Sequence, residues 1–161
     1  MPATAAAALP TPSQARIVPF KSIGPIEFGT SKAKAFSKWG AAQCAVGTGG
    51  RTTCIWLSDS SADYPEQGAV LEFVDGKVCG MLIRAGTNST SGELTITRLK
   101  KWRTDEGVGL GSRLKAAKQV LGGKLVVRKQ HVTTAFSGGF TSASQNKVET
   151  LTIYKDGCNV T

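Results

Sequence analysis

The sequence contains one pattern twice, and this self-match constrains the fold more than any other feature. The segment Ile26–Gly40 aligns without a gap on Val108–Gly122, so that Gly29 falls on Gly111, 82 residues further along. Each copy has an apolar alternation, a glycine, a hydroxyl residue, a helical pattern and a closing glycine. A self-match at a fixed spacing is the usual signature of a repeated structural unit. The sequence therefore predicts two tandem copies of one unit.

Strand patterns follow the helical pattern in both halves of the chain. Asp75 and Gly76 stand between two apolar runs, Ala69–Val74 and Lys77–Ile83. An Asp-Gly pair in this position strongly indicates a β-hairpin, because a type I′ turn requires positive φ at both central residues. The alternating stretch Lys147–Tyr154 predicts a corresponding strand near the C-terminus.

These patterns predict an α+β protein made of two tandem repeats, each a short helix or helix-loop-helix packed on an antiparallel β-sheet. Residues 1–22 are rich in Ala, Pro, Ser and Thr and are expected to be a flexible lead or the remnant of a signal peptide. The first repeat is predicted at 23–84, a linker and strand at 85–103, and the second repeat at 104–161.

Four cysteines and a single histidine limit the chemistry of the chain. A tetrahedral zinc site needs closely paired Cys and His ligands, and with His131 alone no metal site is expected. Four cysteines allow three disulfide pairings; Cys44–Cys54 and Cys79–Cys158 are preferred, the first closing a short local loop and the second tying the first repeat to the C-terminus. Two disulfides indicate an oxidising, extracytoplasmic compartment.

Positive charge is concentrated in the second half of the chain. The formal net charge is +9, of which residues 1–80 contribute +1 and residues 81–161 contribute +8. Such a surface can attract an anionic polymer. The candidate residues surround an aromatic side chain and are Arg98, Lys100, Lys101, Trp102 and Arg103. The alternative is that the tryptophan covers the second repeat while the lysines extend into solvent.

Catalysis is not predicted. His131 lies in a strand-like stretch without a nucleophile or an acid at a suitable spacing, and disulfide-bonded cysteines offer no thiol nucleophile. No cofactor motif is present, and no apolar run approaches the roughly 18 residues that a membrane-spanning helix needs. The sequence predicts a monomeric, non-enzymatic protein without a cofactor or a transmembrane segment.

The first half resembles a known family. The order F-G-T-S, helix, G-A-A-Q-C, glycine-rich turn, Cys and an acidic A-D-Y loop is similar to the beta-lactamase inhibitory proteins of actinomycetes, which share their repeat with small bacterial envelope lipoproteins. The resemblance covers Ile26–Phe73 best and Val108–Ile153 more weakly. It implies secreted tandem repeats of a helix-loop-helix on a four-stranded antiparallel sheet. It also implies a Cys44–Cys54 disulfide.

The resemblance further implies a protein-binding loop. Asp63 and Tyr64 match an Asp-Tyr pair that enters the target enzyme's active site, and Asp59 and Trp56 are the neighbouring candidates for partner contact. A solvated turn is the alternative for this acidic loop. The predicted function is a secreted protein-interaction module that resembles bacterial enzyme inhibitors. The alternatives are a cationic cell-envelope protein that binds anionic polymer and, less favoured, a small secreted enzyme.

Overall fold

The structure is a computed structural model, and it describes residues 8–10, 15–58, 66–88, 90–91, 93–121, 132–138, 147–155 and 158, with the backbone alone at 121 and 132–138. Two helices are described, α1 (Lys32–Trp39) and α2 (Leu114–Leu121). The described strands, in chain order, are β1 (Ile17–Val18), β2 (Ser22–Ile23), β3 (Ile26–Glu27), β4 (Gln43–Val46), β5 (Arg51–Leu57), β6 (Gly68–Val74), β7 (Lys77–Arg84), β8 (Gly86–Thr87), β9 (Leu94–Thr95), β10 (Val132–Gly138) and β11 (Val148–Lys155).

A six-stranded antiparallel sheet forms the centre of the molecule. Its strand order is β10-β11-β7-β6-β5-β4, so that β11, from the end of the chain, lies directly beside β7. The register places Leu71 opposite Met81 and Met81 opposite Ile153, and all three side chains are fully buried. Because side chains on directly paired residues share one face of a sheet, these positions build the core-facing side.

The hairpin between β6 and β7 forms as the sequence predicts. Asp75 and Gly76 have φ angles of 51° and 74°, the positive values that a type I′ turn requires. The register between the two strands shifts after Glu72, which leaves Cys79 as the extra residue of a β-bulge.

The prediction of an α+β fold with two repeats is wrong. The protein is mostly β, with three sheets and only two short helices among the described residues. The self-match of the sequence corresponds to a turn and the short helix after it, α1 or α2. In the turns, Gly29 N donates to Val78 O at 2.8 Å, and Gly111 N donates to Val148 O at 2.9 Å. Each turn is thus attached to a strand of the same sheet. Because β11 pairs with β7, the second half extends this sheet instead of building its own.

Part of the segment expected to be a flexible lead belongs to the fold. β1, β2 and β3 form a small antiparallel sheet, in which Ile17, Ile23 and Ile26 are buried. Ile17 N donates to Arg103 O at 2.9 Å, which attaches this sheet to the loop before α2. Burial of three isoleucines explains why residues 15–22 are structured despite their unremarkable sequence.

Three tryptophans meet in the core. The ring centroids of Trp39 and Trp56 lie 5.2 Å apart, those of Trp39 and Trp102 lie 5.5 Å apart, and both pairs are edge-to-face. Trp39 comes from α1 and Trp56 from β5, so this cluster holds the first helix against the sheet. In an edge-to-face pair the electrostatic quadrupoles of the two rings attract each other, which stabilises the pair beyond the burial of its apolar surface.

Both predicted disulfides are present. Cys44–Cys54 links the neighbouring strands β4 and β5, and Cys79–Cys158 links β7 to the C-terminal segment. Disulfides of this kind are typical of extracytoplasmic proteins. Within the described residues, no helix is long and apolar enough to cross a membrane.

Candidate functional site

A groove beside the first turn of α1 has the chemistry of a binding site. Its volume is about 670 Å³, and we call it the lysine groove. Backbone and side chains from β3, from the turn before α1 and from α1 itself contribute most of the wall, and the start of β7 contributes the rest. The lining residues are Pro25, Glu27, Phe28, Gly29, Thr30, Ser31, Lys34, Lys38 and Lys77.

The local sequence fixes the shape of the lysine groove. Gly29 has a φ of 81°, which an L-residue rarely adopts, and the turn that it makes is attached to β7 by the Gly29 N to Val78 O hydrogen bond. Val78 N in return donates to Thr30 O at 2.9 Å. Ser31 then caps α1, since its Oγ accepts from Lys34 N at 3.2 Å.

Lysines dominate the electrostatics of this groove. Lys34 and Lys38 are four residues apart on α1, and residues at this spacing lie on the same face of a helix. Lys77 comes from the first position of β7. The acid in the wall, Glu27, already has a cation near it, because its Oε1 lies 3.8 Å from Lys21 Nζ. The three lysines therefore give the groove a positive potential.

An additional cation lies next to the lysine groove. Lys155 Nζ, from the end of β11, is 5.1 Å from the centroid of the Phe28 ring. This is within the range of a cation–π contact, which holds an ammonium group near an aromatic face. A lysine from β11 thus adds to the positive charge that α1 and β7 provide.

The structure separates the five residues predicted to bind a polyanion. Trp102 is fully buried, so its indole is not accessible to a ligand at the surface. The Arg103 guanidinium binds its own loop, since Nε donates to Lys100 O at 3.1 Å and Nη1 donates to Gly107 O at 2.8 Å. Arg98, Lys100 and Lys101 are exposed and remain available for binding.

The residues predicted to contact a protein partner fall into two groups. Asp59, Asp63 and Tyr64 lie outside the described residues, and their role stays a prediction. Trp56 is fully buried, and its Nε1 donates to Gly40 O at 3.2 Å. Trp56 therefore acts in the core and does not reach a partner at the surface.

A smaller depression lies on α2. Its volume is about 390 Å³, and it is lined by Leu114, Lys115, Lys118 and Gln119. All four lining residues come from one helix, so the depression is a shallow surface feature. The lysine groove has the more elaborate wall, because three separate elements contribute to it.

One buried acid lies close to a disulfide. An oxygen of the Glu72 carboxylate and the sulfurs of Cys79 and Cys158 all lie within 4.8 Å of one another. Burial raises the pKa of Glu72, and the positive charge of Arg51, whose Nη1 is 3.3 Å from Glu72 Oε1, works against this increase. Thiolates, which are the metal-binding form of cysteine, are not available while the disulfide is intact.

Sequence reasoning missed the lysine groove and Glu72. The spacing of Lys34 and Lys38 did indicate a polar face on α1, but nothing local associates that face with Lys77, which is 39 residues beyond Lys38. Glu72 lies in an otherwise apolar strand. A charged residue at such a position is unusual, and this is the feature of the sequence that could have pointed to Glu72.

Comparisons of the chain with protein families, with curated proteins and with solved structures give no match.

Proposed function

We propose that the protein is a secreted, non-enzymatic binding module that holds an anionic cell-envelope polymer in the lysine groove. The observation that carries this proposal is the convergence of Lys34, Lys38 and Lys77 on one cavity of about 670 Å³. The polymer's negative groups would replace water as the partners of the three ammonium groups.

The charge of the whole chain supports the same function. A net charge of +9 raises the local concentration of anions around the protein and speeds their encounter with it. Lysine is a flexible point charge, which suits a repetitive anionic polymer better than a ligand of fixed geometry. The two disulfides are consistent with work outside the cytoplasm.

Charge reversal in the groove is the test. The triple variant Lys34→Glu, Lys38→Glu and Lys77→Glu should bind poly(glycerol phosphate) about 100-fold more weakly than the unchanged protein, because each lost contact is worth about 1 kcal/mol in water. Binding is measured by calorimetry at low salt and again at about 0.5 M salt, where screening should weaken the unchanged protein as well.

A matched control carries the same change of net charge elsewhere. The triple variant Arg98→Glu, Lys100→Glu and Lys101→Glu alters three exposed cations outside the groove lining. It should weaken binding far less than the groove variant. If both triple variants lose affinity equally, binding follows net charge and the groove is not the site. If neither loses affinity, the proposal fails.

A protein-inhibitor role is the second candidate. It is favoured by the Cys44–Cys54 disulfide, which the resemblance to the inhibitory proteins implies. The residues that would enter a target, Asp63 and Tyr64, belong to a loop outside the described residues. The lysine groove therefore supports polymer binding more directly.

A further inference from the structure

The surroundings of Cys79–Cys158 differ from those of Cys44–Cys54. A Glu72 carboxylate oxygen lies within 4.8 Å of both sulfurs of Cys79–Cys158. In the described part of the chain, no carboxylate oxygen is as close to both sulfurs of Cys44–Cys54. Among the described residues, one disulfide thus has a carboxyl group close to both of its sulfurs and the other does not.

The two ends of Cys79–Cys158 are unequally accessible. Cys79 is half-buried at the β-bulge between β6 and β7, whereas Cys158 is only 1% exposed. Of the two cysteines, Cys79 is therefore the one that a reagent from solvent reaches more easily. Attack there makes Cys158 the leaving sulfur, since exchange proceeds by displacement of one disulfide sulfur by a thiolate.

We propose that Cys79–Cys158 is a thiol–disulfide exchange site for an external dithiol, in which the Glu72 carboxyl gives a proton to the departing Cys158 sulfur. The thiolate of the dithiol bonds to the Cys79 sulfur while the Cys79–Cys158 bond breaks, and the bonding electron pair goes to Cys158. The Cys158 sulfur takes the proton of Glu72, which later regains a proton from water.

The second thiol of the dithiol completes the reaction. In its thiolate form, this second thiol attacks the dithiol sulfur that is bonded to Cys79. A disulfide forms within the dithiol, and the Cys79 sulfur leaves and takes a proton from solvent. The protein has then gained two electrons and two protons, and the dithiol has become a disulfide. This reduction breaks the covalent crosslink between β7 and residue 158.

Burial explains why the proton donor matters. A thiolate formed at the buried Cys158 would be a charge in a poorly hydrated place, which is costly. The raised pKa of Glu72 keeps a proton on its carboxyl to a higher pH than usual. After the transfer the Glu72 carboxylate faces the Arg51 guanidinium at 3.3 Å, which stabilises its new negative charge.

The test compares Glu72→Gln with the unchanged protein. Both are treated with dithiothreitol over a pH range that starts near the ordinary pKa of a glutamate, about 4.3, and extends to about 8.5; free thiols are trapped by alkylation, and each disulfide is followed by peptide mass mapping. At the acidic end of this range the reduction rate of Cys79–Cys158, divided by the thiolate concentration, should be about tenfold lower in Glu72→Gln, a modest value for general acid catalysis. The rate of Cys44–Cys54 should be unchanged.

The pH profile separates proton donation from a structural effect. In the unchanged protein the rate per thiolate should be higher below the raised pKa of Glu72, where the carboxyl holds its proton, than above it; in Glu72→Gln it should be flat. The variant Glu149→Gln, on β11 and separated from β6 by β7, makes the same charge change and should behave like the unchanged protein. Equal rates in Glu72→Gln and the unchanged protein, or equal slowing of both disulfides, would overturn the proposal, as would faster reduction in Glu72→Gln.

Discussion

At the scale of single residues, Trp102 shows how a side chain among positive charges is used for packing. Its neighbours Lys100 and Lys101 are exposed, while the indole is fully buried and lies edge-to-face with Trp39. Its Nε1 makes no hydrogen bond within the described structure, and neither does Nε1 of Trp39. Both rings are therefore held by apolar contact and ring geometry.

This burial predicts a large effect on stability. Trp102→Ala should lower the free energy of unfolding by about 3–5 kcal/mol, because the substitution leaves a cavity beside Trp39 in the core. Lys101→Ala, at the exposed neighbouring position, should change it by no more than about 0.5 kcal/mol. Urea unfolding measures both values, and a small loss for Trp102→Ala would contradict its place in the core.

At the scale of structural elements, two glycine turns attach the helices to the sheet. Gly29 and Gly111 both have a φ of 81°, and each donates its N–H to a strand carbonyl, that of Val78 or that of Val148. The turn positions therefore require a conformation that only glycine adopts without strain. The two sites differ in space, because a Cβ at Gly111 would lie 3.1 Å from Ile96 Cδ1 whereas one at Gly29 would have no neighbour within 4 Å.

That difference predicts an order of effects. Gly29→Ala should lower the free energy of unfolding by about 1–2 kcal/mol through backbone strain alone, and Gly111→Ala should lower it further because Ile96 must also move. Gly47→Ala is the control, since a Cβ there would meet ordinary contacts at 3.7 Å and 3.8 Å. Chemical denaturation of the three variants would reject this order if Gly29→Ala proved the most damaging.

At the scale of the whole molecule, the two disulfides close loops of very different length. Cys44 and Cys54 are separated by 10 residues, whereas Cys79 and Cys158 are separated by 79. A crosslink over a longer loop removes more conformational freedom from the unfolded chain. Cys79–Cys158 also fixes the C-terminal segment to β7, the strand that joins the first half of the sheet to β11.

The loop lengths predict unequal losses of stability. In the chain-entropy account, replacing Cys79 and Cys158 by alanine should cost about 4.5 kcal/mol, and replacing Cys44 and Cys54 should cost about 2.8 kcal/mol. Thermal and urea unfolding of the two double variants measure the difference. A larger loss for the short Cys44–Cys54 loop would show that native contacts outweigh loop entropy at these sites.

Local signals in the sequence were sufficient for several elements. The Asp75-Gly76 turn occurs as predicted, and α1 lies between the hydroxyl residues and the closing glycine of the repeated pattern, with Ser31 as its N-cap and Gly40 as its C-cap. The two disulfides also match the preferred pairing. The turn and the caps depend on residues that are close in sequence, so the local residue types are enough to predict their conformation.

Other features depended on contacts between distant residues. The two-repeat prediction failed because the sequence does not state that β11 pairs with β7, and that pairing merges both halves into one sheet. For the same reason the lysine groove was not predicted, since Lys77 lies beside α1 through hydrogen bonds between distant segments, from Gly29 N to Val78 O and from Lys32 N to Gly76 O.

The sequence by itself therefore determined the Asp75-Gly76 turn, the ends of α1 and the excess of positive charge, because neighbouring residues and composition are sufficient for these. For the cysteines it indicated a preferred pairing among three. Only the tertiary structure decided the strand order, the burial of Trp56 and Trp102 and the position of Glu72 beside Cys79–Cys158. These features depend on which apolar surfaces, distant in sequence, pack against each other and exclude water. The free energy of that burial comes from the total apolar area removed from water, and no short segment of the sequence specifies it.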